Sequence, residues 1–272
     1  MLATLKHYPA TLNLLLSASL ILTLARAITL PYLVLYLSGD FGLSIADIGL
    51  VIGSTLIIGS LLSLYGGFLV DRMSSYRLIL TCCGVFTLGF LGASIAPALW
   101  LFYLCLVSVN LAYAVIDIAV KAAFGSLLPV EQRSEAFSIK YTLTNIGYAV
   151  GPFLGAGLAA VDSSLPFLMS AGLGAGFWLT YCVWGDKRLQ TAQASQPPVA
   201  FLAVGTLLLR DYRLVCFTLG GLLSAVVFGQ FTAYLSQYQV KQRKQQNTLS
   251  PPNHSQTFES RQAENFRVSS LL

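Results

Sequence analysis

Charged residues are scarce in this sequence. Of its 272 residues, 10% are charged and 56% are hydrophobic, whereas an ordinary soluble domain carries about 25% charged residues. A chain of this composition cannot cover a surface that faces water, so we expect lipid to be its solvent. The composition therefore excludes an ordinary soluble domain and predicts a membrane protein.

Features of nucleic-acid-binding proteins and of enzymes are also lacking. The formal net charge is +5, but the cations are spread thinly and form no basic patch interleaved with aromatic residues. Both histidines, His7 and His254, lie near the ends of the chain, which excludes a histidine metal site within the membrane. The sequence has no zinc-protease, serine-hydrolase or nucleotide-binding motif. We therefore expect no nucleic-acid partner, no enzyme activity and no cofactor.

The five cysteines lack the spacing of a zinc or redox site. All lie inside apolar runs and none forms a C-x-x-C pair, so we expect small side chains that pack between helices. They are Cys82, Cys83, Cys105, Cys182 and Cys216.

Long apolar segments are abundant instead. A membrane-spanning helix needs about 20 predominantly apolar residues, and seven stretches meet this requirement, which predicts an all-α polytopic membrane protein. The predicted spans are residues 12–37, 46–70, 77–96, 99–121, 138–160, 164–184 and 213–236.

The distribution of lysine and arginine predicts the orientation of these spans. Through the sixth span, every second connection carries positive charge and the connections between them carry none. Because positively charged short loops stay in the cytoplasm, we expect a cytoplasmic N-terminus. The positive charges are Lys6 before the first span, then Arg72 and Arg77, Arg133, and Lys187, Arg188 and Arg210 in the connections.

The N-terminal segment allows two interpretations. Ala25-Arg26-Ala27 follows an apolar run and resembles the small-x-small cleavage site of a signal peptide. Arginine is unfavourable at such a site, and the apolar run continues to Leu37. We therefore favour a first transmembrane helix.

The chain divides into four predicted segments. Residues 1–184 form a six-helix bundle, 185–212 a cytoplasmic linker and 213–236 a seventh helix. Residues 237–272 are polar and nearly free of apolar periodicity, which predicts disorder. This segment is either a natural tail or the product of a chain that ends prematurely. We favour the second interpretation, since its first cations lie on the side where no positive charge is expected.

The loop between the second and third spans resembles a signature of the major facilitator superfamily. Its sequence GGFLVDRMSSYR is similar to G-x-x-x-D-R-x-G-R-x-R/K, with Ser74 and Ser75 in place of glycine and arginine. In the superfamily this loop latches the two halves of the protein in one conformation. The matching residues are Gly67, Asp71, Arg72 and Arg77.

A second motif, GYAVGPFLG in the fifth span, resembles the G-x-x-x-G-P-x-x-G motif of the superfamily's proton-antiporter, drug-efflux branch. It matches at Gly147, Gly151, Pro152 and Gly155. The three glycines recur every four residues and lie on one helix face. Since helices in lipid associate by close packing, this face predicts a groove for a neighbouring helix, with a bend at the proline. The pair Gly49 and Gly53 predicts a similar contact in the second span.

The resemblance covers about residues 10–236. It implies twelve spans in two six-helix halves, of which this chain has the first half and one further helix. The implied function is a secondary transporter in a bacterial inner membrane that exports small amphipathic molecules, such as drugs or small peptides, in exchange for protons. The implied partners are the substrate, protons and the lipid bilayer. The alternative is a shortened family member that inserts in the membrane without transporting.

Ionisable residues within the spans are candidates for the transport pathway, because charge inside a membrane is costly. Arg26 near the middle of the first span either attracts an anionic group or makes a structural contact. Asp117 and Lys121 in the fourth span have the spacing of an ion pair. Asp117 is either a proton-coupling site or the static partner of Lys121.

Uncharged polar residues extend the predicted pathway. Asn110 lies in the fourth span, about where the superfamily carries an arginine. Asn145 and Tyr148 give the fifth span a polar face beside its glycines.

Overall fold

A computed structural model describes residues 8–187, 189 and 210–223 of the chain. Residues 190–209 of the predicted linker, 224–236 of the predicted seventh span and the tail at 237–272 lie outside the described residues, as do both histidines. The chain forms two compact units, Met1–Pro198 and Val199–Leu272, and each is considered by itself.

The regular elements of the first unit are helices throughout its described residues. The first predicted span consists of two helices joined by a 3-10 turn at Leu30–Tyr32, where Pro31 lacks the backbone N–H of a continuous helix. Each of the next five predicted spans contains one long helix. The helices are α1 (Ala10–Thr29), α2 (Leu33–Gly39), α3 (Ile45–Arg72), α4 (Ser75–Ser94), α5 (Leu99–Leu127), α6 (Val130–Ala159) and α7 (Leu165–Trp184).

Most of the predicted spans are confirmed as helices that can cross a membrane. In the described part of the chain, five segments have the necessary length and apolar composition: Ala10–Gly39, Ile45–Val70, Ser75–Ser94, Leu99–Leu127 and Leu165–Trp184. The fifth predicted span, residues 138–160, is the exception, since α6 is 30 residues long but not apolar enough to join the five. Its glycine, hydroxyl and amide residues lower its hydropathy.

The short connections follow from local sequence. The hydroxyl of Ser44 accepts a hydrogen bond from the backbone N–H of Asp47 at 3.3 Å and so caps the start of α3. Gly42, with φ of +63°, makes the turn before it. Between α3 and α4, Ser74 has φ of −57°, which any residue adopts. The turn of the loop signature therefore forms here without the glycine that Ser74 replaces.

The core of the first unit lies between α1, α4, α5 and α7. Phe86, Phe102, Phe167 and Phe177 are fully buried there, and α1 packs against α6 and α7 along its length. The outer faces of α3 and α7 are apolar and exposed, as expected for helices in contact with lipid. The described architecture is that of an all-α polytopic membrane protein.

The second unit contributes one described helix, α8 (Tyr212–Leu223), at the start of the predicted seventh span. The carboxylate of Asp211 accepts hydrogen bonds from the backbone N–H groups of Arg213 and Leu214, at 3.0 and 3.3 Å. These bonds satisfy donors that the first turn of a helix leaves unpaired.

Candidate functional site

Asp117 on α5 is held between two lysines. Its Oδ2 atom lies 2.6 Å from the Nζ atom of Lys121, one turn further along the same helix. Its Oδ1 atom lies 2.5 Å from the Nζ atom of Lys140 on α6. The side chain of Lys121 is 51% exposed, whereas that of Lys140 is only 10% exposed. The ion pair expected from the i,i+4 spacing is present, and a second, more deeply buried pair accompanies it.

The sequence analysis missed Lys140. This residue lies inside the predicted fifth span, so a count of all charges within the spans finds it. Its partner cannot be found in this way, because Asp117 is 23 residues away on another helix and no local periodicity connects them.

Arg26 on α1 is held by uncharged groups of α5. Its Nη2 atom donates a hydrogen bond to Oδ1 of Asn110 at 3.1 Å, and its guanidinium lies 4.3 Å from the ring centroid of Tyr113. No acidic side chain of the described residues lies within ion-pair distance of it. A second link joins the same helices, since the hydroxyls of Thr23 and Tyr113 are 2.9 Å apart.

A cavity of about 350 Å³ lies beside this cluster, between α1, α3 and α5. Three of the sequence-predicted site residues line it together, although they come from two helices. Serine hydroxyls of α3 complete the polar part of the wall. The polar lining residues are Arg26, Ser60, Ser63, Asn110, Tyr113 and Asp117.

The two predicted polar residues of α6 behave differently. Tyr148 interacts with Tyr113 and with the charge of Arg26. Asn145 is exposed and donates a hydrogen bond to the backbone carbonyl of Tyr141 on its own helix, at 2.9 Å. The structure therefore brings Tyr148 to the cluster and leaves Asn145 outside it.

The glycine face of α6 lies against α1. Gly147, Gly151 and Gly155 are buried. A Cβ atom built on Gly151 would lie 2.8 Å from the carbonyl carbon of Ala27. On Gly155 it would meet the carbonyl oxygen of Ile28. The two backbones approach so closely that no side chain fits between them.

A hydrogen bond accompanies this contact at its end. The hydroxyl of Tyr32, in the 3-10 turn after α1, donates to the carbonyl oxygen of Pro152 at 3.2 Å. Gly49 and Gly53 on α3 do not form the similar contact that their spacing predicts. A Cβ atom on either would have no described atom within 4 Å, because no described helix covers the face of α3 that carries these two glycines.

The residues of the loop signature lie at the junction of α3 and α4. A Cβ atom on Gly67 would have no described neighbour within 4 Å. Asp71 is in the last turn of α3, and its side chain lies outside the described part of the structure. Arg72 is exposed, with its guanidinium 4.1 Å from the ring centroid of Phe68. Arg77 is exposed on the first turn of α4.

Comparison with known families decides the class of the protein. A family model described as Major Facilitator Superfamily matches residues 15–250. The chain belongs to the major facilitator superfamily. This membership confirms the resemblance noted in the sequence, and it places the chain in a class of membrane transporters rather than enzymes.

Curated relatives agree with this membership. The chain is 34% identical over 229 residues to the uncharacterized MFS-type transporter YdeE of Escherichia coli, covering 82% of this chain and 56% of that protein. It is 26% identical over 216 residues to the uncharacterized MFS-type transporter YqjV of Bacillus subtilis, covering 79% and 53%. The chain thus spans about half the length of the curated relatives it matches.

More distant relatives have more specific names. The quinolone resistance protein NorA of Staphylococcus aureus is 23% identical over 174 residues, covering 64% of this chain and 45% of that protein. A Na(+), Li(+), K(+)/H(+) antiporter of Planococcus maritimus is 26% identical over 136 residues, covering 46% and 30%. Among solved structures, a peptide transporter POT in complex with sulfate superposes with a TM-score of 0.61 at 17% identity, covering 78% and 46%. This last likeness shows a shared fold.

Proposed function

We propose that this protein is a secondary transporter that exports small amphipathic molecules, such as drugs or small peptides, in exchange for protons. The observation that carries the proposal is the position of Asp117, a carboxylate shared by lysines of two helices at the wall of a cavity. Ionisable residues inside a membrane are costly and mark ion or substrate pathways. The names of two relatives, a quinolone resistance protein and a cation/proton antiporter, support an exporter driven by protons.

The contacts of Asp117 support a way for protons to drive a conformational change. A proton on Asp117 would remove the negative charge that both lysines share. The ion pair between α5 and α6 would then be lost, whereas the close glycine contact between α6 and α1 involves no charge and would persist. Binding and release of a proton would therefore change how α5 contacts α1 and α6. Arg26, Asn110 and Tyr148 would line the substrate pathway beside it.

The two family motifs complete this proposal. The glycine face and Pro152 of α6 would act as a rigid, bent support that closes the cytoplasmic side. The loop signature would stabilise one conformation of the bundle at the cytoplasmic ends of α3 and α4. The bundle at 1–184, the linker and the seventh helix would then be parts of one transporter in a bacterial inner membrane.

The proposal is tested by reconstituting the 272-residue chain into liposomes and imposing a pH gradient. The probes are the cation ethidium and the anion N-acetylphenylalanine. The accumulation of each against its gradient is measured, and a pH-sensitive dye inside the vesicles reports proton flux. We expect substrate-dependent proton flux in the parent chain and its loss in Asp117→Asn. The matched control is Asp162→Asn, which removes an exposed carboxylate between α6 and α7 and should leave transport unchanged.

Two results would overturn the proposal. Transport at the parental rate by Asp117→Asn would exclude a coupling role for this residue. An inserted and folded parent chain that moves neither probe nor protons would instead support the alternative, in which the chain inserts without transporting.

The proposed orientation has its own test. We expect the N-terminus and the 185–198 segment in the cytoplasm, because their side of the membrane carries the lysines and arginines. Reporter domains fused after Asp40 and after Gln193 should therefore lie on opposite sides. If both fusions give a signal from the same side, the proposed topology is wrong.

A further inference from the structure

The charges around the cavity do not balance. Arg26, Lys121 and Lys140 contribute three positive charges on α1, α5 and α6, and both ion pairs found there use the single carboxylate of Asp117. Lys121 is half exposed, so water compensates part of its charge. Arg26 is partly buried at the cavity wall and has no acidic neighbour among the described residues. A buried cation without a counter-charge is costly.

Arg26 is also held in a fixed orientation, and most of its N–H groups donate to no described residue. A guanidinium has five N–H donors, and one hydrogen bond to a described residue, the bond to Asn110, uses one of them. The ring of Tyr113 supports one face of the guanidinium at 4.3 Å. Because the remaining donors border a cavity of about 350 Å³, a planar anion there can form paired, charge-assisted hydrogen bonds.

We propose that this cavity binds the anionic group, a carboxylate or a group of similar charge and shape, of a small amphipathic molecule on Arg26. Ser60 of α3 lies on the same cavity wall, and its hydroxyl can donate to the anion, whereas the hydroxyl of Ser63 donates to the backbone carbonyl of Ser60. The apolar part of the molecule would contact Leu56 and Ile118, which also line the cavity. The inference rests on the proposed function, because the bound anion is the molecule that the transporter would carry.

A cationic molecule fits this site less well. Among the described residues, Asp117 is the only acidic side chain on the cavity wall, and ammonium groups at 2.5 and 2.6 Å already occupy both of its oxygens. A cationic ligand would have to displace a lysine and would face the positive charge of Arg26. The charge distribution therefore favours anions over cations of the same size.

The test compares three probes that share one apolar group and differ in charge. They are N-acetylphenylalanine, which is anionic, its neutral amide N-acetylphenylalaninamide, and the cationic phenylalaninamide. Binding to the detergent-solubilised 272-residue chain is measured by calorimetry. We expect the anion to bind more tightly than the neutral amide by on the order of tenfold, as a charge-assisted hydrogen bond predicts, and the cation to bind most weakly.

Variants of Arg26 assign this preference to the site. Arg26→Gln should abolish the preference for the anion, whereas Arg26→Lys should retain part of it, because the charge remains but the paired geometry is lost. The control Lys187→Gln removes an exposed cation outside the helices and should leave the preference unchanged. Thermal stability of each variant in detergent shows that the chain is folded.

The outcomes separate this inference from the proposed function. Equal binding of the anion and its amide, tighter binding of the cation, or no binding of any probe would overturn the anion site. The same holds if Arg26→Gln, folded, retains the preference. Anion binding without any proton-driven transport would leave the site in place and refute the transport function. Proton-driven transport of ethidium by a chain that binds the anion no more tightly than its amide would support the transport function and refute the anion site.

Discussion

Two contacts of α1 differ in kind. Against α6, α1 packs backbone to backbone, and a Cβ atom on Gly151 would come within 2.8 Å of the main chain of Ala27. Against α5, α1 uses side chains that bridge a wider gap, through the Arg26–Asn110 and Thr23–Tyr113 hydrogen bonds. The link from α6 to α5 also includes a contact between side chains, the ion pair of Lys140 and Asp117.

The difference indicates which helices stay together when the bundle changes shape. A backbone contact lined by glycine has no rotamers to change, so any displacement loses packing at once. Hydrogen bonds between side chains can exchange partners with ligands, protons or water. We therefore expect α1 and α6 to behave as one unit and α5 to contact that unit through exchangeable polar groups. The first contact supports stability and the second supports function.

The largest expected effect comes from filling the glycine contact. Gly151→Leu would force α1 and α6 apart, because the new side chain meets the backbone of Ala27, which cannot rotate away. Overpacking typically costs about 1–3 kcal/mol, and this substitution should lie near the upper end of that range. The measurement is the thermal stability of the chain in detergent.

The matched control is Gly157→Leu on the same helix. A Cβ atom on Gly157 has no described atom within 4 Å, so its replacement should cost far less. Equal losses of stability for the two variants would show that the glycine face has no special packing role, and the comparison between the two contacts would be lost.

A smaller effect is expected from the polar contact. Lys140→Met removes a buried partner of Asp117 and should lower stability by about 1.5 kcal/mol, as for a hydrogen bond between charged groups. Lys121→Met removes the half-exposed partner of the same carboxylate and should cost about 0.3–0.5 kcal/mol, because water screens that pair. Chemical denaturation in detergent measures both. If the two variants lose the same stability, burial does not distinguish the two ion pairs.

An effect smaller than that of Lys140→Met is expected at the end of the glycine contact. Tyr32→Phe removes the hydrogen bond to the carbonyl of Pro152 and keeps the ring, so we expect a loss of about 1 kcal/mol. Tyr103→Phe is a control, since its hydroxyl bonds to Ser54 between α3 and α5, far in sequence from the glycine contact. Each tyrosine substitution is also made in the Gly151→Leu background. There the loss of stability from Tyr32→Phe should be smaller than in the parent chain, whereas the loss from Tyr103→Phe should be unchanged. Full additivity of Tyr32→Phe with Gly151→Leu would separate this bond from the glycine contact.

Much of the fold follows from the sequence, because a segment that spans a membrane must form an apolar helix of about 20 residues. Apolar length gave the helices of the first six predicted spans, although the composition of α6 made the fifth a less apolar helix than the others. The spacing of Asp117 and Lys121 gave their ion pair. In each case the relevant distance lies within one helix, where 3.6 residues per turn relate sequence separation to position.

The candidate site depends on contacts between helices. The order of residues along the chain does not show which helix faces meet. The glycine pairs at Gly49 and Gly53 and at Gly147 and Gly151 look alike as patterns, yet only the second pair is buried against another helix. Helical periodicity places residues on one face but does not say which way that face turns.

By itself, the sequence determined that this is a polytopic membrane protein of the major facilitator superfamily, through apolar length and two motifs. The tertiary structure alone decided that Lys140 shares Asp117 with Lys121, and that Arg26 contacts Asn110 and Tyr113 rather than an acid. The physical reason is that each of these partners lies on a different helix. Their contact depends on how the helices rotate and pack, and close packing of the glycine face against α1 is what brings α6, and with it Lys140, to the site.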